Sequence, residues 1–136
     1  LHEKLSKRIS PKLNDILIAK NGTIGYAAIV DRDIPFDVYV SLAVLRTKNN
    51  ILPEYVLEVI NSETIRNEFL NKVIGMGVPN LHLNKIKEVK IPVVNYDEQE
   101  KFVKDISIIN DKISRCEKEI LKLDEDMEEN IKTICN

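Results

Sequence analysis

The chain has 136 residues, 43% of them hydrophobic, with twenty Lys and Arg against twenty-two Asp and Glu. That is enough for one modest core with an appendage. No run of eighteen apolar residues occurs and no basic-then-apolar leader opens the sequence, so neither a membrane span nor a secretory signal is expected, and the expected location is cytoplasmic.

Split at Tyr96, the charge is uneven. Residues 1–96 carry thirteen basic against ten acidic side chains, and residues 97–136 carry seven against twelve. A mildly basic first part can meet phosphate, but a net charge of +3 is also an ordinary solvated surface.

The opening "LHEKLSKRISPKLN" is polar, with a small basic cluster at Lys7, Arg8 and Lys12, and Pro11 interrupts any helix. It reads as a short helix or loop leading into a strand. Two β-rich runs, "DILIAK" and "TIGYAAIV", flank Asn21-Gly22, a dipeptide suited to a type I′ turn, so strands are expected near 15–20 and 23–30. Gly25 inside the second run suggests a bulge or a close approach by other backbone. The longest apolar run of the first part, "VYVSLAVLRTK", predicts a central strand at about 38–47.

Pro53 then opens a stretch with helical spacing through Tyr55, Val56, Val59, Ile60, Ile65, Phe69, Leu70 and Val73, and Asn61-Ser62 can end one helix and cap the next. Two short helices are expected. Beyond them lie a loop with Gly75, Gly77 and Pro79, a helical turn at 84–88 and a strand at 89–94. Asn95, three residues before Glu98, has the form of a capping box and places the start of a long helix at about Asp97.

From Asp97 to Ile134 there is no Gly and no Pro. Apolar residues recur at Phe102, Ile106, Ile109, Ile113, Cys116, Ile120, Leu123, Met127 and Ile134, in alternating steps of four and three, with Asn130 the polar member of the series. This is a heptad repeat, whose stripe must be buried against another helix. Cys116 is expected as a small buried hydrophobe of that seam, and neither it nor Cys135 has the spacing of a metal site. The flanking positions hold Glu117, Asp124, Glu119 and Asp126, with Lys112 the basic one. A parallel self-pair would set like charges together, so an antiparallel partner is expected.

The fold expected is therefore α+β: a small mixed or antiparallel β domain with short helices over residues 1–96, then one long coiled-coil helix over 97–136. Little suggests catalysis. His2 and His82 lack a helical companion for a metal, there is no G-x-S-x-G elbow and no P-loop, and Gly75-Met76-Gly77 is too slight for a phosphate cradle. No cofactor is expected.

Three segments in order carry a resemblance. Asp15-Ile16-Leu17-Ile18, Gly22, Ile24-Gly25 and Ala28-Ile29-Val30 form the first. Val78-Pro79-Asn80-Leu81, Leu83, Ile86, Val89, Ile91-Pro92, Glu98 and Gln99 form the second, and the heptad helix is the third. Together they resemble the specificity subunits of type I restriction-modification systems, over residues 14 to about 120. Asn14 stands where that family often has Gly, and Val94-Asn95 where it often has Pro-Pro.

The resemblance implies a non-catalytic DNA-recognition component, a piece of a longer polypeptide holding part of one target recognition domain and one conserved helix. It implies double-stranded DNA, methyltransferase (modification) subunits and a restriction subunit as partners, with an antiparallel helix from the other half of the subunit or from a second copy. Within it, Lys20, Asn21 and Thr23 at the hairpin tip and Asn80, His82 and Lys85 in the glycine-rich loop are the DNA-contact candidates. For Asn21 and Asn80 turn and loop stability compete with that role, since Asn21 suits the turn and Asn80 belongs to the shared framework. The alternative to DNA reading is a coiled-coil assembly module whose globular part is cargo.

Overall fold

A computed structural model describes residues 10–74 and 79–135. Lys7 and Arg8 and the Gly75–Val78 part of the glycine-rich loop lie outside the described residues. The chain divides into two compact units, residues 1–100 and 101–136.

The first unit is built on a three-stranded antiparallel sheet of β1 (Ile16–Ala19), β2 (Ala27–Ile29) and β3 (Leu42–Leu45), in the order β2-β1-β3. Alternation decides the facing: Ile16 and Ile18 of β1 are fully buried while Leu17 and Ala19 are only partly so. The expected central strand at 38–47 is instead the edge strand β3, and β1 is the centre. An apolar run suggested burial on both faces, but Tyr39 and Val40 are 69% and 53% exposed, and the Leu42 amide turns back to the Tyr39 carbonyl just before pairing begins.

The hairpin differs from the two-residue turn that Asn21-Gly22 suggested. Its ladder closes at Ala19, whose carbonyl accepts from Gly25 N–H at 2.9 Å and whose N–H donates to the Tyr26 carbonyl at 2.8 Å. Two residues thus oppose one, with Gly25 at φ +83°, which is a glycine bulge. Gly22 has φ +68° but Asn21 does not enter the left-handed region, so a type I′ turn is not formed. A side chain on Gly25 would also meet Phe69: its Cβ would sit 3.3 Å from Phe69 Cδ2. The close neighbour is a ring rather than backbone.

Helices α1 (Pro53–Asn61) and α2 (Glu63–Asn71) are the two expected, with Pro53 in the first turn of α1. Ser62 separates them, its hydroxyl donating to Val59 O at 2.7 Å and accepting from Ile65 N–H at 3.4 Å. Tyr55, Val56, Ile60, Ile65 and Phe69 close over the sheet, with Leu81 completing the core. Helix α1 packs on β2, and Asn61 at its end satisfies the outer edge of that strand. Its amide accepts from Ala27 N–H at 2.9 Å and donates to Ala27 O at 3.0 Å, as a further strand would.

The short helix α3 (Leu83–Glu88) falls where a helical turn was expected, but residues 89–95 form no strand. The β-branched content of "VKIPVV" favoured one, yet Pro92 has no N–H for a ladder, and its carbonyl is taken by Tyr55 Oη at 3.0 Å. Helix α4 (Tyr96–Cys135) follows, capped by Asn95, whose side-chain oxygen accepts from Glu98 N–H at 2.9 Å. Its base is fastened by Gln99, 1% exposed. The Gln99 amide accepts from Leu52 N–H at 2.9 Å and donates to the carbonyls of Val94 at 2.9 Å and Asn50 at 3.3 Å.

The second unit is the remainder of α4. Its seam is exposed in the single chain: Ile109, Ile113, Ile120, Leu123 and Met127 are about half exposed, Ile134 is 85% exposed, and Cys116 is exposed rather than buried. Asn130 of the series donates to Asp126 O at 2.9 Å within its own helix. Among the described residues, no helix is long and apolar enough to cross a membrane.

Candidate nucleic-acid interface

The end of the hairpin and the segment after the glycine-rich loop are far apart in sequence but joined in the fold. Leu81 is fully buried, and its N–H donates to the Lys20 carbonyl at 2.9 Å, while Lys20 N–H donates to Ser41 O at 2.8 Å. Residue 20 thereby tethers strand β3's approach on one side and the 79–82 segment on the other. The backbone of Lys20 is fixed, and the hairpin residues that follow, Asn21 and Thr23, are exposed.

Asn80 closes the other loop through its backbone. Its N–H and carbonyl pair with Ile74 at 3.4 and 3.2 Å, and its side-chain Oδ1 is buried with no hydrogen-bond partner. The backbone thus holds Asn80 against Ile74, whereas the side chain expected to stabilise the loop leaves its oxygen unbonded. His82 is exposed and caps α3 by backbone alone, accepting from Lys85 and Ile86 N–H through its carbonyl. Lys85 is engaged: its Nζ lies 2.8 Å from Glu88 Oε1, with Lys72 Nζ 3.4 Å from the other oxygen, and the two ammonium groups, Lys85 foremost, hold the Glu88 carboxyl below its ordinary range. The fold therefore brings the two groups of candidates together while giving Lys85 an ion pair on the protein itself.

Three polar features escaped the sequence reading. The Asp15 carboxylate, 1% exposed, takes a fork from Arg46, both N···O distances 2.7 Å, and the Lys12 amide at 2.8 Å. The hydrogen-bonded Arg46 guanidinium outweighs the opposing effect of burial and holds the Asp15 carboxyl below its usual range. This pair locks the entry to β1 against the exit of β3. Asn61 read as a helix boundary, with no signal that its amide would satisfy a strand. Arg66 on α2 lies over the Tyr26 ring, 4.0 Å from the centroid, with its Nε buried and unbonded. Helical periodicity spoke only to the apolar face of α2, so this arginine went unremarked. Among the described residues, no three His, Cys, Asp or Glu side chains gather as a metal site.

The structure thus has an antiparallel sheet with a bulged hairpin, a second segment hydrogen-bonded to the end of its first strand, and a long heptad helix whose base is held by Gln99. The profile of the type I restriction modification DNA specificity domain matches residues 2–124, and the chain belongs to that family. Among curated proteins it is similar to the type I restriction enzyme MjaIX specificity subunit of Methanocaldococcus jannaschii, at 29% identity over 118 residues. The matched region covers 86% of this chain and 26% of that subunit, so the chain spans about a quarter of its relative's length.

Proposed function

We propose that the globular unit reads one half of a split double-stranded DNA target, and that α4 acts as spacer and helix-pairing element, positioning modification and restriction subunits on that DNA in the cytoplasm. Family membership supports recognition as the role, with methyl transfer and cleavage performed by the partner subunits rather than by this chain. The division at residues 96 and 97 follows the same reading: a partial target recognition domain, then the conserved helix.

The observation that supports the DNA reading is the hydrogen bond from Leu81 N–H to the Lys20 carbonyl, which sets the end of the first hairpin strand beside residues 80–82; Lys20, Asn21, Thr23, Asn80, His82 and Lys85 remain the proposed contacts. Lys20, with its backbone fixed and its side chain only partly buried, is suited to a phosphate. Replacing it by Ala in the complete subunit assembled with its methyltransferase lowers affinity equally on target and non-target DNA, and the slope of log K against log salt falls by about one. An unchanged slope removes Lys20 from the interface. Exchange of the whole globular unit for that of another member must change the methylated target; retention of the original target favours the assembly-module reading, which the exposed seam of α4 supports by itself.

A further inference from the structure

We propose that Arg66 is a base-reading side chain, held on the Tyr26 ring so that the end of its guanidinium meets a guanine in the major groove of double-stranded DNA. The inference rests on the proposed DNA-reading role of the globular unit and adds a specificity residue to it.

Four observations lead here. Arg66 stacks on Tyr26 with the guanidinium carbon 4.0 Å from the ring centroid, and Tyr26 is 49% exposed, so the stack lies at the surface. No carboxylate among the described residues lies within ion-pair distance of Arg66, in contrast to Arg46, whose fork is used up on Asp15. The Nε of Arg66 is buried without a partner, which leaves the terminal Nη atoms as the groups it can offer a ligand. Finally, the stack sits at the hairpin bulge: an atom added at Gly25 would lie 3.7 Å from Arg66 Cγ, and the Ala19 that opposes Gly25 and Tyr26 immediately precedes Lys20.

Orientation separates base from phosphate here. A phosphate accepts from any nearby cation, whereas guanine O6 and N7 accept a bidentate fork only from one direction. A guanidinium stacked on a ring and packed along its stem is suited to that directional task, because little rotamer freedom is left to lose on binding. Position agrees. Tyr26 directly follows the bulge glycine and Arg66 reaches it from α2, so the stack stands beside the hairpin whose first strand leads into Lys20. Gly25, inside the framework, supplies the bare backbone on which the stem rests.

The test measures binding of the complete subunit, assembled with its modification subunits, to a library randomised across the target. The wild type should prefer guanine at one position, and Arg66→Ala should reduce that preference about 10- to 100-fold while leaving the other positions as they were. Arg66→Lys should lose most of it, since an ammonium has no planar fork to be held flat on the ring, and Tyr26→Phe should keep it, since the ring remains. These two variants preserve the packing and guard against a folding defect in the alanine form, which thermal melting checks directly. An unaltered base profile in Arg66→Ala and Arg66→Lys overturns the proposal, as does uniform weakening on every sequence with a shallower salt slope, which marks a phosphate contact. A wild-type assembly without any sequence preference sinks the DNA-reading role itself.

Discussion

The two units of this chain handle their apolar residues in opposite ways. In the globular unit Ile16, Ile18, Ile60, Phe69 and Leu81 are buried to 1% exposure or less, so it has a core of its own. In residues 101–136 the apolar side chains form a stripe, and Ile113, Ile120 and Leu123 keep half or more of their surface exposed. The first unit's stability is internal. The second has folding information that only a partner helix can use, because a heptad stripe gains its stabilisation by knobs-into-holes packing with another stripe. One unit can therefore be damaged without touching the other.

That separation predicts the largest effects. Phe69→Ala removes a ring at the centre of the globular core and should cost about 3–5 kcal/mol in urea unfolding monitored on the sheet signal. Ile120→Asp places a charge in the seam and should abolish helix pairing in analytical ultracentrifugation while leaving the unfolding of the globular unit unchanged. A globular unit destabilised by Ile120→Asp would break the comparison. The direction of pairing is a further check: a disulfide formed between a helix carrying Lys112→Cys and a partner helix carrying Asp126→Cys supports the antiparallel arrangement. A disulfide joining two copies that both carry Lys112→Cys alone would contradict it.

Gln99 probes the junction on the globular side. Its buried amide bonds three backbone groups, Leu52 N–H, Val94 O and Asn50 O. Gln99→Ala should cost about 2–3 kcal/mol of globular stability, because buried polar groups left without partners lose the full desolvation penalty. A loss below about 0.5 kcal/mol means that water replaces the amide and the anchor is dispensable.

The sequence made the long helix, the two short helices and the bulged glycine legible, because each depends on local signals: a heptad step, Ser62 as a cap, a residue able to take positive φ. It misplaced what depends on long-range partners. Whether an apolar run is central or peripheral depends on which strand Ile16 and Ile18 lie in, and whether "VKIPVV" becomes a strand depends on a ladder partner that Pro92 cannot serve. The same limit governs the site. Hairpin and loop candidates were visible as motifs, but their meeting through Leu81 and Lys20 joins residues 61 positions apart, and the Arg66–Tyr26 stack joins a helix to a strand end.

Acid sharpens the contrast further, since α4's exposed carboxylates stand in solvent while Asp15 is buried against Arg46. The Asp15 carboxyl is depressed below its ordinary value of 3.8, chiefly by its hydrogen bonds from Arg46. Its contribution to stability is thus complete above that ordinary value and is lost as pH falls through the lower, folded one. Asp15→Asn should cost about 1–2 kcal/mol at pH 7, less than a fully buried pair because Arg46 is half exposed and regains water, and the gap from wild type should close as pH falls through the depressed folded value. Arg46→Ala should be the worse change, as it strands a buried carboxylate. A gap that stays constant down to acid unfolding would show that the fork contributes geometry alone.

The smallest effect is that of glycine at Asn14, which has φ +68° in the turn before β1, where its N–H donates to Val30 O at 2.9 Å. A left-handed conformation costs a side chain about 1–2 kcal/mol, an amount that Asn offsets better than most. Asn14→Gly should therefore change stability by no more than about 0.5 kcal/mol, relief of the positive φ being balanced by the greater freedom of Gly in the unfolded chain. Asn14→Val keeps the donor N–H and adds a branched carbon, so it should cost about 2 kcal/mol. Equal melting temperatures for the Gly and Val variants would show that the turn readily leaves the left-handed region, and that Asp15 is held for Arg46 by the ladder rather than by the turn.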